Sequence, residues 1–254
     1  MQRVRDAAVK FFIDLHLCPN LEDQDETKMM IEKSAELGYK AVGVTFPKKY
    51  SQSEIEKTRK ICSEAGLDFI HRVDLEPSNT TELIRSLRLL RRQVEVISVK
   101  CLSKSVARQA AKDRRVDVLS FSPLDVRKRF FDSAEAELAS KTRVSLEFDL
   151  APLLYLHGYR RIRLLSKLRE EAFIAKKFNI PIILSSGANN AGLLRKPEDY
   201  ASLGYLFELD LNDAKRAVSE NPKEIIDRNR RKLSPNYVAP GVYVIRRGED
   251  CPDG

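Results

Sequence analysis

The feature that most constrains this chain is a spacing. Short apolar runs begin near residues 11, 41, 68, 94, 116, 144 and 181, and a segment of helical pattern follows each one. A strand–helix unit that recurs roughly every 30 residues is the mark of a parallel sheet, because parallel neighbours need a crossover between them. Seven such units within 254 residues suit a closed barrel better than an open sheet of five or six strands. The predicted fold class is therefore α/β: a TIM-like (β/α) barrel of seven parallel strands with extra C-terminal helices. No eighth strand is evident after residue 196.

Punctuation within each unit supports the period. A helix from Thr27 to Leu37 is closed by Gly38, and one from Ser51 or Ser53 to Ala65 by Gly66. Thr80 or Thr81 opens a helix with Leu83, Leu87 and Leu90 on one side and Arg85, Arg88 and Arg92 on the other. A short basic helix spans Ser103 to Asp113, and Asp125 to Lys141 reads as a broken helix. The long helix from Arg160 to Phe178 places Ile162, Leu165, Leu168, Ala172 and Ala175 at helical spacing. Three further helices run Pro197 to Leu206, Asn212 to Ser219, and Pro222 to Leu233 with Asn221 as its cap. The chain reads as one barrel domain over 1–254, with its core at about 11–233, a docked tail at 234–245 and a frayed end at 246–254.

The seventh unit carries the most suggestive loop. Pro181-Ile182-Ile183-Leu184 is a buried strand, and Ser185-Ser186-Gly187-Ala188-Asn189-Asn190 follows at its C-terminal end. Lys196-Pro197-Glu198-Asp199 then starts a helix, with Pro at its first position. The plain reading is an ordinary strand–helix turn. Its small polar residues and backbone N–H groups beside Arg195 and Lys196 also suit a phosphate, which makes Ser185, Ser186, Gly187 and Asn189 the phosphate-loop candidates.

Charge is concentrated. The net charge is +8, and the segment Arg85–Arg115 holds ten basic residues against Glu95 and Asp113, so it accounts for the whole excess. A second run, Gly158 to Lys177, has seven basic residues against two acids. Cations gathered in blocks are the footprint of a polyanion partner. No apolar run has the length of a membrane span and no signal-peptide pattern opens the chain, so a cytoplasmic protein without membrane attachment is expected. Cys18, Cys62, Cys101 and Cys251 lie far apart and read as reduced thiols.

Equipment for chemistry is sparse. Strand ends offer Asp14, His16, His71, Asp74, Glu147 and Asp149, with His157 beyond. Asp14-Leu15-His16 resembles the metal-binding opening of the polymerase-and-histidinol-phosphatase class of phosphoesterases. A second His is expected there two residues on, and this chain has Cys18. With three histidines in total, Asp14 and His16 are weak metal candidates, and a metal-dependent phosphoesterase of that class is the alternative function. No nucleophile motif and no phosphate-binding glycine motif occurs.

Several segments together resemble a known family. Leu184-Ser185-Ser186-Gly187-Ala188 followed by Leu194-Arg195-Lys196-Pro197-Glu198-Asp199, with Asp14-Leu15-His16, Ser120-Phe121-Ser122 and Glu147-Phe148-Asp149-Leu150 in the same order, is similar to ribonuclease P protein component 3, the thirty-kilodalton subunit family of archaea and eukaryotes. The similarity runs from about Phe11 to Leu233. It implies a barrel related to the phosphoesterase class with an eroded metal site. It also implies a subunit of the ribonucleoprotein endonuclease that removes 5′ leaders from precursor tRNA, with the RNA subunit as catalyst. The expected partners are ribonuclease P RNA, precursor tRNA within the complex, a small partner subunit and other ribonuclease P proteins. No catalytic residue and no cofactor is expected of the chain itself, while magnesium is expected for the RNA catalyst. The RNA-binding candidates are Arg88, Arg91, Arg92, Lys100, Arg108, Arg114, Arg115, Arg195 and Lys196.

Overall fold

The computed structural model describes residues 11–239 and 242–245; the frayed end expected at 246–254 and Cys251 lie outside them. The described chain alternates strand and helix: β1 Ile13–Leu17, α1 Gln24–Glu36, β2 Ala41–Phe46, α2 Gln52–Glu64, β3 Asp68–Leu75, α3 Thr80–Leu90, β4 Val96–Lys100, α4 Lys104–Lys112 and β5 Val118–Ser120. It continues with α5 Ser133–Ser140, β6 Ser145–Asp149, α6 Ala151–Tyr155, α7 Gly158–Lys177, β7 Ile182–Ser185, α8 Pro197–Leu203, α9 Leu211–Ala217 and α10 Glu220–Leu233. A hairpin of β8 Tyr237–Ala239 and β9 Val242–Tyr243 follows.

β1 to β7 form one sheet in sequence order, and every pairing is parallel. The sheet curls into a nearly closed barrel. At the C-terminal end the seam between β7 and β1 is bridged by Gly187 and Ala188: Gly187 N donates to His16 O at 2.9 Å and Cys18 N to Ala188 O at 2.8 Å. At the other end of β1, Ile13 N donates to Val218 O at 3.0 Å, so the α9–α10 junction stands where an eighth strand would pair.

Strand alternation divides the apolar residues into two layers. Val42, Val44, Phe69, Val73, Ile97, Val99, Leu119, Leu146 and Phe148 face the helices and build the larger outer core. Ile13, Leu15, Ala41, Ile70, Val96, Val118 and Ile183 face the barrel axis, where Ile225 and Ile226 of α10 complete a small inner core. The last helix thus plugs the N-terminal mouth. Asn229 Nδ2 bonds Glu95 O and Asp117 Oδ1, both at 2.8 Å, and Arg230 clamps Asp68 and Glu95 at 2.6 Å.

Several sequence expectations shift. α3 is capped by Asn79, whose side chain accepts from Glu82 N, instead of by Thr80 or Thr81. α10 begins at Glu220 behind Ser219, and Asn221 does not cap it; its Nδ2 is drawn to Ile182 O at 2.7 Å on the neighbouring strand. The stretch Asp125–Lys141 is broken into a 3-10 turn, Val126–Lys128, and α5. α7 turns its Leu164, Leu168, Ala172 and Ala175 inward together with Glu171, leaving Ile162 exposed. Glu171 is tolerated because Arg129 meets it at 2.6 Å inside the core.

Candidate nucleic-acid interface

The C-terminal mouth of a barrel is where chemistry would be sought. Here the inward positions of β3, β6 and β7, with a register shift between Asp14 and Leu17 that brings His16 inward, place His16, Arg72, Asp74, Glu147, Asp149 and Ser185 together. Arg72 is the organising residue and is fully buried. Its guanidinium bonds both oxygens of Glu147 at 2.7 and 2.6 Å, Asp74 Oδ1 at 2.7 Å and Leu15 O at 3.0 Å. Ser185 Oγ donates to Glu147 Oε1 at 2.7 Å. Gly43 leaves room for the Leu15 carbonyl, which a Cβ at that position would strike.

His16 forms the second centre of charge. Its Nδ1 lies 2.7 Å from Asp149 Oδ1, and its Nε2 lies 3.1 Å from Asp74 Oδ2 and 3.0 Å from Cys18 Sγ. Burial and the Arg72 guanidinium push His16 towards neutrality, but Asp149, Cys18 and Asp74 outweigh them and hold the imidazole well above its ordinary pKa. Burial works against ionised Asp74 and Asp149, yet Arg72 and His16 keep both below the usual carboxylate range. The imidazolium and guanidinium therefore face three carboxylates, a nearly self-balanced set.

A metal does not fit that set. One ligand atom each from His16, Glu147 and Asp149 lies within 4.8 Å of the others. Both Glu147 oxygens, however, are engaged by Arg72, and the His16 nitrogen towards Asp149 carries a proton when the ring is charged. A guanidinium occupies the middle of the site and repels a second cation. Asp14, the other weak metal candidate, points away from this set. Burial raises its carboxyl, which accepts Ser186 N at 2.9 Å and His16 N at 3.2 Å. Sequence reading missed Arg72; the available signal was a charged residue in phase with the inward Ile70 and Asp74 of β3.

The phosphate loop needs correction. Ser185 and Ser186 are buried, and their hydroxyls donate to Glu147 and to His16 O. The N–H groups of Ser186, Gly187 and Ala188 bond Asp14, His16 O and Ser186 Oγ. None is left for an anion, and of the four candidates only Asn189 is exposed. Gly187 serves closure instead: it sits at φ +59°, and a Cβ there would lie 2.7 Å from the Asp149 side chain.

The basic candidates do not form one patch. Lys100, Arg195 and Lys196 lie at the C-terminal end. Lys100 is tied to Glu76, while the Arg195 guanidinium donates to Gly192 O at 2.9 Å and Leu194 O at 2.7 Å. Arg108 projects from the exposed side of α4. Arg88, Arg91, Arg92, Arg114 and Arg115 gather at the N-terminal end, where α3 and α4 hand over to β4 and β5. Within that group Arg91 is a structural clamp on Asp117, Val94 O and Arg115 O, and Arg115 is held by Asp113 at 2.7 Å. Arg88, Arg92 and Arg114 stand exposed, with no carboxylate at ion-pair distance among the described residues.

The model of the family described as RNase P subunit p30 matches residues 11–234. The chain belongs to the RNase P subunit p30 family. It is similar to the ribonuclease P protein component 3 of Methanococcoides burtonii, 27% identical over 238 residues, covering 94% of this chain and 95% of that one. The Methanosarcina mazei component 3 is 30% identical over 217 residues, covering 85% of this chain and 88% of its own. The same fold occurs in a chain of an archaeal ribonuclease P solved by cryo-electron microscopy with mature tRNA. That match has a TM-score of 0.78 at 23% identity and covers 94% of this chain and all of the other. An ochratoxinase from A. niger shares the fold at TM-score 0.58 and 9% identity, over 85% of this chain and 71% of that one. Membership makes the chain a protein subunit of ribonuclease P, an endoribonuclease, and the phosphoesterase alternative gives way to it. No helix among the described residues is long and apolar enough to cross a membrane.

Proposed function

We propose that this p30-family subunit contributes RNA contacts to ribonuclease P and leaves the chemistry to the RNA. The observation that carries this reading is Arg72: a guanidinium bonded to Glu147 and Asp74 stands at the barrel centre, in the place a catalytic cation would need. Arg88, Arg92 and Arg114, without a carboxylate at ion-pair distance among the described residues, lie at the opposite end and suit backbone phosphates, which bind Lys and Arg with release of counterions. Structured RNA is read largely through shape, sugar and phosphate, so exposed arginines on a rigid barrel are suitable contacts.

Magnesium is then a ligand of the RNA and the substrate phosphates, and the chain needs no cofactor of its own. Ribonuclease P RNA is the main partner, precursor tRNA is met within the assembly, and the small partner subunit and other ribonuclease P proteins dock on outer helices. Three free cysteines among the described residues fit a reducing compartment such as the cytoplasm.

Reconstitution tests the reading. Adding the chain and its partner subunit to ribonuclease P RNA should raise precursor-tRNA cleavage. Replacing Arg88, Arg92 and Arg114 by Ala should lower RNA affinity and flatten its salt dependence. Asp14→Ala with His16→Ala should leave cleavage unchanged once corrected for folded protein. Metal-dependent phosphoester hydrolysis by the purified chain, abolished by the same pair, would refute the proposal.

A further inference from the structure

A groove of about 510 Å³ opens at the N-terminal end of the barrel, beside the end of α10. The loop joining α5 to β6 and the β8–β9 hairpin form its other walls. Its walls carry six basic residues and no carboxylate. Arg114, Arg143, Arg231 and Lys232 have no acid at ion-pair distance among the described residues. Arg228 beneath them reaches Asp117 at 3.0 Å, but its Nε is buried without an acceptor. Burial and the charges of Arg228, Arg91 and Arg143 press the half-buried Lys232 ammonium below the ordinary lysine pKa, with Asp117 opposing. A half-enclosed crowd of like charges lowers its energy by binding an anion.

The hairpin adds aromatic surface. Tyr237 and Tyr243 pair across it with ring centroids 5.8 Å apart at 72°, and Tyr243 is 48% exposed. Cations beside an open aromatic face form the combination that binds unpaired nucleotides: charge for the backbone, a ring for the base. A duplex makes no use of the ring, and an acidic peptide has little for it to stack on.

We propose that this groove is a site for single-stranded RNA, in which Arg143, Arg231 and Lys232 take backbone phosphates and Tyr243 stacks on an unpaired base. The site deepens the RNA-contact function proposed above and rests on it. It adds to the Arg88, Arg92 and Arg114 surface a pocket that specifies strandedness.

The test uses the full chain and a transcript of ribonuclease P RNA, with filter binding at several salt concentrations. Arg143→Ala with Lys232→Ala should weaken binding and lower the salt slope by about 1.5, as expected for two lost phosphate contacts. Tyr243→Ala should weaken binding roughly 5- to 100-fold without changing the slope, and Tyr243→Phe should restore it. The chain contains no tryptophan, so Tyr243→Trp introduces one fluorophore, which single-stranded RNA should quench and a duplex should not. Circular dichroism checks that each variant is folded. If the groove variants keep wild-type affinity and slope while Arg88→Ala with Arg92→Ala loses affinity, the groove is idle and the wider RNA-contact reading survives. If neither set matters, both fail. Quenching by polyglutamate but not by RNA would assign the groove to an acidic protein and overturn the inference.

Discussion

Inside the C-terminal end of the barrel, Arg72 and His16 meet Asp74, Glu147 and Asp149 at hydrogen-bond distance, so each ion of this inner cluster faces one of opposite sign. At the N-terminal end, Arg92, Arg114, Arg143, Arg231 and Lys232 stand at or near the surface, with no acid at ion-pair distance among the described residues. Burial explains the contrast. An unpaired charge in the interior is too costly to persist, so the inner cluster has closed on itself. Solvent makes an unpaired surface charge cheap, so the other end can hold its cations ready for an external anion. A strand-end cluster of acids and a histidine is therefore poor evidence of catalysis when a guanidinium stands within it.

The largest expected effect breaks the inner half of this contrast. Arg72→Ala leaves Glu147 and Asp74 buried without their cation and should cost about 3–5 kcal/mol in denaturant unfolding. Arg72→Met with Glu147→Leu should recover only part of that, because Asp74 still lacks its guanidinium. A loss under about 1 kcal/mol for the single variant would show that the cluster is not the closed network described.

Next is a direct comparison of the two ends by RNA binding. Replacing Arg92, Arg114, Arg143 and Lys232 by Ala should lower affinity for ribonuclease P RNA by roughly 100-fold at moderate salt. Arg195→Ala with Lys196→Ala should cost only a few-fold. The reverse ranking would move the RNA interface to the C-terminal mouth.

A smaller effect separates interior from surface within one helix. Glu135 of α5 is buried with Oε1 unpartnered, and burial first, then Asp132, pushes its carboxyl up to about 8. In the unfolded chain it ionises near its ordinary value, so stability falls as pH rises from about 4.5 to 8. Glu135→Gln should remove that dependence and stabilise the protein at pH 7 by roughly 1–3 kcal/mol in thermal melts. Equal melting temperatures at pH 7 would place the group in water.

The smallest effect concerns His16. Its pKa is raised in the folded state, so its contribution is complete below about pH 6.5 and fades as pH climbs through the elevated folded value. Wild-type stability should therefore decline above pH 6.5 by about 1 kcal/mol per pH unit within that window, and His16→Gln should lack this slope. Parallel profiles for the two proteins would mean that the ring is neutral.

Much of this was legible in the chain itself. The strand starts and the parallel order followed from the 30-residue period, because a buried strand must be apolar and a crossover must be helical. The cation excess of Arg85–Arg115 was countable. What escaped reading were partnerships. Arg91 and Arg115 looked like free cations and proved to be engaged by Asp117 and Asp113. Ser185 and Ser186 looked like anion ligands and turned inward. Arg129 and Glu171 form a core pair 42 positions apart in sequence, a contact that no local pattern announces.

The sequence by itself determined the repeating unit, the strand order, the family and the sign of the charge, since these depend on local pattern and composition. Only the tertiary structure decided which charges cancel and which remain available. Arg72 finds Glu147 from 75 residues away, and Arg143 shares a groove with Lys232 and Tyr243 only because α10 folds back under the barrel. Coulomb energy and desolvation depend on distance and burial, and closing the barrel sets both.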